Sequence, residues 1–164
     1  METDYTSTPY IITNIIAIFT AIISMIRPNI GRVLLSGIFI GAAAFNGFTA
    51  WKNPDLYLLF GELTTSGLYR SIILGPFSRH IELYISILVC YQVLVGAFLL
   101  YNGKLMKAAM LAGTIFLLGI APLGIGSAFP APLILATSLI ILIRRKIEYS
   151  IYEGMGRKIK HFPH

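Results

Sequence analysis

The chain has 164 residues, 56% hydrophobic and only 12% charged, against roughly 25% charged in an average soluble domain, which excludes an ordinary water-soluble core. A net charge of +6 does not make it a nucleic-acid binder. Its cations sit at the ends of apolar runs, where a membrane protein keeps them, and not beside aromatic or polar residues on one solvated face.

Four stretches carry no charge: Tyr5 to Ile26, Val33 to Trp51, Leu83 to Gly103 and Ala108 to Ile143. A crossing helix needs about 20 predominantly apolar residues, and the last stretch is long enough for two. The expected fold is all-α, a single integral membrane domain over residues 1–164: a four-helix bundle plus an additional N-terminal hydrophobic helix, about five spans.

The first predicted segment, 10–26, is short for a span. Thr13, Thr20 and Ser24 fall near one face of it, so a partner-packed or interfacial helix is the alternative to a crossing. Glu2 and Asp4, with no cation before Arg27, are the reverse of the basic start of a cleavable signal peptide. The second segment, 33–51, ends on Trp51, a residue suited to a membrane interface. The connection 52–80 is predicted to be an extracytoplasmic cap. Asn53-Pro54-Asp55 has the order of a helix start, an apolar piece runs from Leu56 to Leu63, and a second runs from Leu68 to Leu74. So apolar a loop is expected to lie on the bundle, covered by protein.

The third segment, 81–101, stops at Asn102-Gly103, a turn signal. The fourth, 105–125, is kinked or ended by Pro122. A hairpin through Gly124, Gly126, Pro130 and Pro132 leads to the fifth, 129–143. Short connections make these three antiparallel neighbours. Residues 144–164 read as a basic cytoplasmic tail, solvated or lying on an anionic leaflet. If the spans alternate, Arg27, Arg32, Lys104, Lys107, Arg144, Arg145, Lys146, Arg157, Lys158 and Lys160 share one side, against Lys52, Arg70 and Arg79 on the other. The cation-rich side is expected to be cytoplasmic, with the C-terminus inside and, for five spans, the N-terminus outside.

Small residues at four-residue spacing suit close helix packing: Gly37, Gly41 and Ala44 on the second segment, with Ala43, Gly47 and Ala50 beside them, and Ala109 and Gly113 on the fourth. Cys90, the single cysteine, lies in an apolar run and reads as a small buried hydrophobe. Polar residues within the spans are few. Asn46 with Gln92 and Tyr91 suit interhelical hydrogen bonds, or a small pocket for a quinone carbonyl or another amphiphile. At the outer rim, His80 and Glu82 beside Arg79, with Glu62 and Arg70 of the cap, suit an ion-pair network or a ligand-contacting, proton-handling rim, since histidine changes charge near neutral pH. His161 and His164 lack nearby acids or thiols, so no metal is predicted. No nucleophile motif, phosphate loop or paired catalytic carboxylates occurs, so no catalytic residue is assigned. The spans carry no internal ionisable residue, whereas pumps and proton-coupled transporters keep such residues inside the bundle.

Several residues carry a family resemblance. Gly31-Arg32-Val33-Leu34-Leu35 with Ile38-Phe39 and Gly41 form one block, and Gly96-Ala97-Phe98-Leu99-Leu100 with Gly103, Lys107, Ala108 and Ala109 a second. With Asn46, Asn53-Pro54 and Ala121-Pro122-Leu123-Gly124, residues 31–143 resemble an uncharacterised branch of the DoxX-like superfamily of small four-helix membrane proteins. The carboxylate often found midway along the third helix in that superfamily is Gln92 here. The resemblance implies a membrane subunit of a quinone-linked oxidoreductase, a redox-stress membrane partner or a chaperone-like assembly factor.

The function expected from these readings is a non-catalytic multi-pass subunit or assembly partner of a larger membrane complex, such as an oxidase or oxygenase, in a prokaryotic cytoplasmic membrane. Its expected partners are the lipid bilayer and other membrane subunits, with no nucleic acid. It is not expected to be an enzyme by itself. The alternative is a quinone- or lipid-binding subunit, and a small-solute transporter ranks third. No cofactor is predicted, with quinone the candidate ligand of the alternative.

Overall fold

The computed structural model describes residues 8–145. The tail predicted after Arg145, with His161 and His164, and the acidic residues Glu2 and Asp4 lie outside the described residues. Among the described residues every regular element is helical. The order is α1 (Thr8–Ile26), α2 (Pro28–Lys52), a 3₁₀ turn (Pro54–Tyr57), α3 (Leu58–Leu63), α4 (Gly67–Leu74), a second 3₁₀ turn (Phe77–Arg79), α5 (Ile81–Leu99), α6 (Lys104–Ile120), a 3₁₀ segment (Ala121–Ser127) and α7 (Ala131–Arg144).

Four of these elements are long and apolar enough to cross a membrane: α1, α2, α5, and α6 with the 3₁₀ segment after it. The fifth predicted span is the exception. α7 has 14 residues, about 21 Å at 1.5 Å per residue, short of the roughly 30 Å hydrocarbon core. It starts two residues later than the predicted 129 and ends one later than 143, so the segment was short for a span from the outset; Gly124, with φ +65°, and Ala128 in αL set where it begins. The chain therefore reverses over 121–130, where the sequence pattern extended the helices on both sides.

The main core is built from Leu35 and Phe39 of α2, Val95 and Leu99 of α5, Met110 and Leu117 of α6, and Leu135, Leu139 and Leu142 of α7. α1 joins it with small residues turned inward. Ala17, Thr20 and Ser24 are buried, while Ile15, Ile18, Phe19 and Ile22 are exposed. The face with Thr20 and Ser24 is thus the packing face of α1, chiefly against α7 and then α2, while Thr13 is exposed. The Asn14 side-chain amide donates to the Ala128 carbonyl at 3.1 Å, and the Tyr10 hydroxyl donates to the Phe129 carbonyl.

Close packing falls on only some of the small residues marked for it. Ala109 and Gly113 are buried, and a Cβ on Gly113 would lie 3.0 Å from Leu139 and 3.1 Å from Phe39. Gly37, Gly41 and Ala44 are exposed instead, and a Cβ on Gly37 or Gly41 would meet nothing within 4 Å. The close approaches on α2 are made by Gly31, against Ser24 of α1, and by Gly96 of α5, against Ile40 and the Ser36 carbonyl. Ser36 Oγ donates to the Gly96 carbonyl at 2.7 Å, closing this α2–α5 contact.

One cation departs from the expected pattern. α2 begins at Pro28, upstream of the predicted segment, so Arg32 lies inside the helix and is fully buried. Its Nε donates to the Leu99 carbonyl at 3.1 Å and its Nη2 to the Tyr101 carbonyl at 2.7 Å. Leu99 is the last residue of α5 and Tyr101 lies two beyond it; the Leu99 carbonyl has no partner inside the helix and lies at the negative end of its dipole. The bundle therefore does contain a buried ionisable group, at its basic end, and Nη1 of Arg32 is buried without a hydrogen-bond partner.

Candidate functional site

The cap is built by 54–79. Pro54 opens its 3₁₀ turn at the first position, where a missing N–H costs nothing. Thr64 Oγ1 donates to the Pro122 carbonyl at 2.8 Å, and the Tyr69 hydroxyl donates to the Gly119 carbonyl. A second, smaller core of Ala50, Tyr57, Ile81 and Ile85 lies under it. The cap is thus fixed to the α6–α7 turn on one side and to α2 and α5 on the other.

Beneath it the few polar side chains meet. Asn46 Nδ2 donates to Gln92 Oε1 at 2.9 Å, joining α2 to α5. The Tyr57 hydroxyl, brought down by the cap, reaches the Asn46 carbonyl at 3.0 Å and Asn46 Oδ1 at 3.1 Å. Burial pushes the Tyr57 phenol above its ordinary pKa, with a side-chain hydrogen bond to Thr49 opposing the shift, so it stays a neutral hydroxyl near pH 7. Tyr91 lies apart from this cluster: its hydroxyl donates to the Ala112 carbonyl at 2.8 Å and joins α5 to α6. Tyr57 is the member that sequence reasoning missed. Its signal was available, as a tyrosine in an apolar cap segment needs a partner for its hydroxyl when buried.

The cluster ties three elements together, and its strength is measurable. In a double-mutant cycle with Asn46→Ala and Gln92→Ala, we expect a coupling of about 1 kcal/mol by reversible unfolding in detergent, between the average of roughly 0.6 and the maximum of roughly 1.7 kcal/mol for interhelical hydrogen bonds. A coupling indistinguishable from zero would mean that the bond contributes nothing to the bundle.

The open space lies elsewhere. A groove of about 470 Å³ runs between α2 and α5 on the outer surface. Gly47 and Ala50 supply little bulk on the α2 side, Ile85 and Val89 form the α5 side, Trp51 and Glu82 stand at one end and Cys90 at the other. Neither Asn46 nor Gln92 lines it. Cys90, expected to be buried, is exposed in this groove, because the residues turned inward on its helix are Ile85, Gln92 and Val95. A second, more polar groove of about 380 Å³ adjoins it, lined by Pro54, Ser78, Arg79, His80 and Glu82 among others. Glu82 lines both.

The rim is not the ion-pair network that the sequence suggested. Among the described residues, Glu62, Arg70, Arg79 and Glu82 form no ion pair, and all four are exposed. Ser86 Oγ donates to the backbone carbonyl of Glu82 at 2.7 Å, and among the described residues the Glu82 carboxylate has no partner. Lys52 lies 4.3 Å over the Trp51 ring at the groove's end. Among the described residues no group of three or more His, Cys, Asp or Glu is placed to hold a metal ion.

Comparison with known proteins changes the family reading. Residues 103–144 match the UbiB C-terminal domain, which points away from the DoxX-like superfamily and corrects that resemblance. The residues behind the resemblance were mostly glycines and aliphatics, which any closely packed apolar hairpin requires, and 103–109 and 121–124 fall inside the new match. It covers 42 of 164 residues, the α6–α7 hairpin with its turn, and says what that hairpin is similar to. No curated protein and no solved structure matches the chain.

Proposed function

We propose that this protein is a non-catalytic, multi-pass membrane subunit or assembly partner of a larger membrane complex. The membrane reading is supported by four helices long and apolar enough to cross and by the division of charge between the two ends of the bundle. Among the described residues, Arg27, Arg32, Lys104, Lys107, Arg144 and Arg145 gather at one end with no acid. Lys52, Arg70 and Arg79 lie at the other with Asp55, Glu62 and Glu82. By the positive-inside rule the first end is cytoplasmic and the cap extracytoplasmic.

The observation that carries the subunit reading is the stripe Gly37, Gly41 and Ala44. It lies on an exposed face of α2, and among the described residues a Cβ on Gly37 or Gly41 would meet nothing within 4 Å. In lipid, helices associate through small residues that let backbones approach, and this face suits a helix from another protein. The polar side chains between the helices, meanwhile, are engaged in holding the bundle.

Co-purification from native membranes in mild detergent tests the reading. We expect the wild-type chain to bring one or more membrane proteins with it in fixed ratio, and a Gly37→Leu, Gly41→Leu chain to lose them while keeping its helicity. A lone monomer on repeated purification would sink the proposal. A second reading is favoured by the groove alone: its volume is in the range of ligand pockets, roughly 300–1,000 Å³, and its apolar walls suit a quinone or a lipid tail.

A further inference from the structure

We propose, building on the membrane reading above, that the α2–α5 groove and the polar groove beside it form one binding site for a phospholipid whose head group carries both a phosphate and a primary ammonium. The apolar groove runs from Glu82 to Cys90, eight residues along α5, or about 12 Å at 1.5 Å per residue. That is less than half of the roughly 30 Å hydrocarbon core, the depth of a single leaflet. It begins at Trp51, a residue type concentrated at the membrane–water interface, and its walls are Gly47, Ala50, Ile85 and Val89. An acyl chain lying along it meets apolar atoms for most of its length.

The head group follows from the charges where the two grooves meet. Glu82 is shared by both, and its carboxylate has no partner among the described residues. Arg79 and His80 line the polar groove, and Arg79 is likewise unpaired. Arginine is suited to phosphate oxygens, through planar, paired hydrogen bonds. A carboxylate accepts hydrogen bonds and has none to donate, so Glu82 calls for a cationic donor. A primary ammonium supplies up to three N–H donors. A quaternary ammonium supplies none, and an uncharged glycerol head leaves the carboxylate without a counter-charge beside an anionic lipid. The neighbouring cation and anion therefore select a zwitterionic head with N–H donors over either alternative.

The test is native mass spectrometry of the full chain extracted from nanodiscs made of equal parts phosphatidylethanolamine, phosphatidylglycerol and phosphatidylcholine. We expect one phosphatidylethanolamine to be retained per chain, at least tenfold over the other two. Glu82→Gln should remove the preference over phosphatidylcholine, and Arg79→Ala should weaken retention of every lipid. Gly47→Leu should abolish retention whatever the head group; a Cβ there meets Val89 at an ordinary 3.7 Å, and circular dichroism is used to check that the helices remain.

Equal retention of the three lipids, preferential retention of phosphatidylglycerol, or displacement of the bound lipid by an added quinone would overturn the site as proposed. So would full retention in Gly47→Leu. Carbonate extraction of native membranes separates the two levels of failure. A chain released by carbonate fails the membrane reading itself, whereas an inserted chain that retains no phosphatidylethanolamine fails only the lipid site.

Discussion

Arg32→Ala is expected to lower the stability of the bundle by about 3 kcal/mol, the lower estimate for two hydrogen bonds from a charged donor at roughly 1.5 to 3 kcal/mol each. The side chain is fully buried and its two bonds end on the Leu99 and Tyr101 carbonyls. Removing it leaves both oxygens facing low-dielectric surroundings at the negative end of a helix dipole. The opposing effect is relief of an expensive buried charge, which can make an apolar replacement neutral where both partners of a pair are removed. Here the acceptors belong to the backbone and cannot be removed, so the loss wins. Arg32→Lys keeps the charge but not the fork that spans two carbonyls, and we expect it to recover about half of the stability. Unfolding of the three chains by denaturing detergent measures the order. An alanine variant as stable as wild type would show that the two bonds do not hold α2 to α5.

Gly31→Ala is expected to cost about 2 kcal/mol, in the usual range of 1–3 kcal/mol for overpacking, and Gly37→Ala to be neutral or slightly stabilising. Both glycines lie in α2, and alanine is favoured over glycine in a helix interior by roughly 0.5–1 kcal/mol. At Gly37 nothing opposes that gain, because a Cβ there meets no atom within 4 Å. At Gly31 the new atom would lie 2.7 Å from the Cα of Ser24. That neighbour is backbone, so α1 and α2 must move apart and the buried Ser24 contact opens with them. Thermal unfolding monitored by circular dichroism distinguishes the two sites. Equal effects would mean that the α1–α2 contact is looser than the geometry states.

Much of this fold was legible in the sequence because uncharged length is a robust signal. The presence of two apolar helices before Asn53, the break of the cap into two pieces and the turn at Gly103, where φ is +69°, follow from apolar runs and their punctuation. What misled was facing. Composition marks Gly37, Gly41 and Ala44 as packing residues but cannot say whether the partner is within the chain, and here Gly31 and Gly96 make the close contacts instead. Cys90 was misplaced for a related reason: an apolar environment in a membrane segment is met by lipid as readily as by a core. Arg32 was read as a flank because charge normally ends a span, while the helix in fact starts four residues before it. Of the site, Asn46 and Gln92 were identifiable as rare polar groups, but their bond to each other depends on register between distant segments. The apolar groove beside Glu82 depends on missing bulk at Gly47 and Ala50, and the small-residue pattern to which they belong does not tell open space from close packing.

The packing of α1 chiefly against α7 has a consequence in time. Ribosomes deliver the N-terminal helix first, yet its principal neighbour, and the Ala128 and Phe129 carbonyls that receive its Asn14 and Tyr10, emerge more than a hundred residues later. Until then the newborn helix has only α2 to rest on, with the small, hydroxyl-bearing strip of Ala17, Thr20 and Ser24 incompletely covered. Assembly of this protein is therefore a ring-closing event.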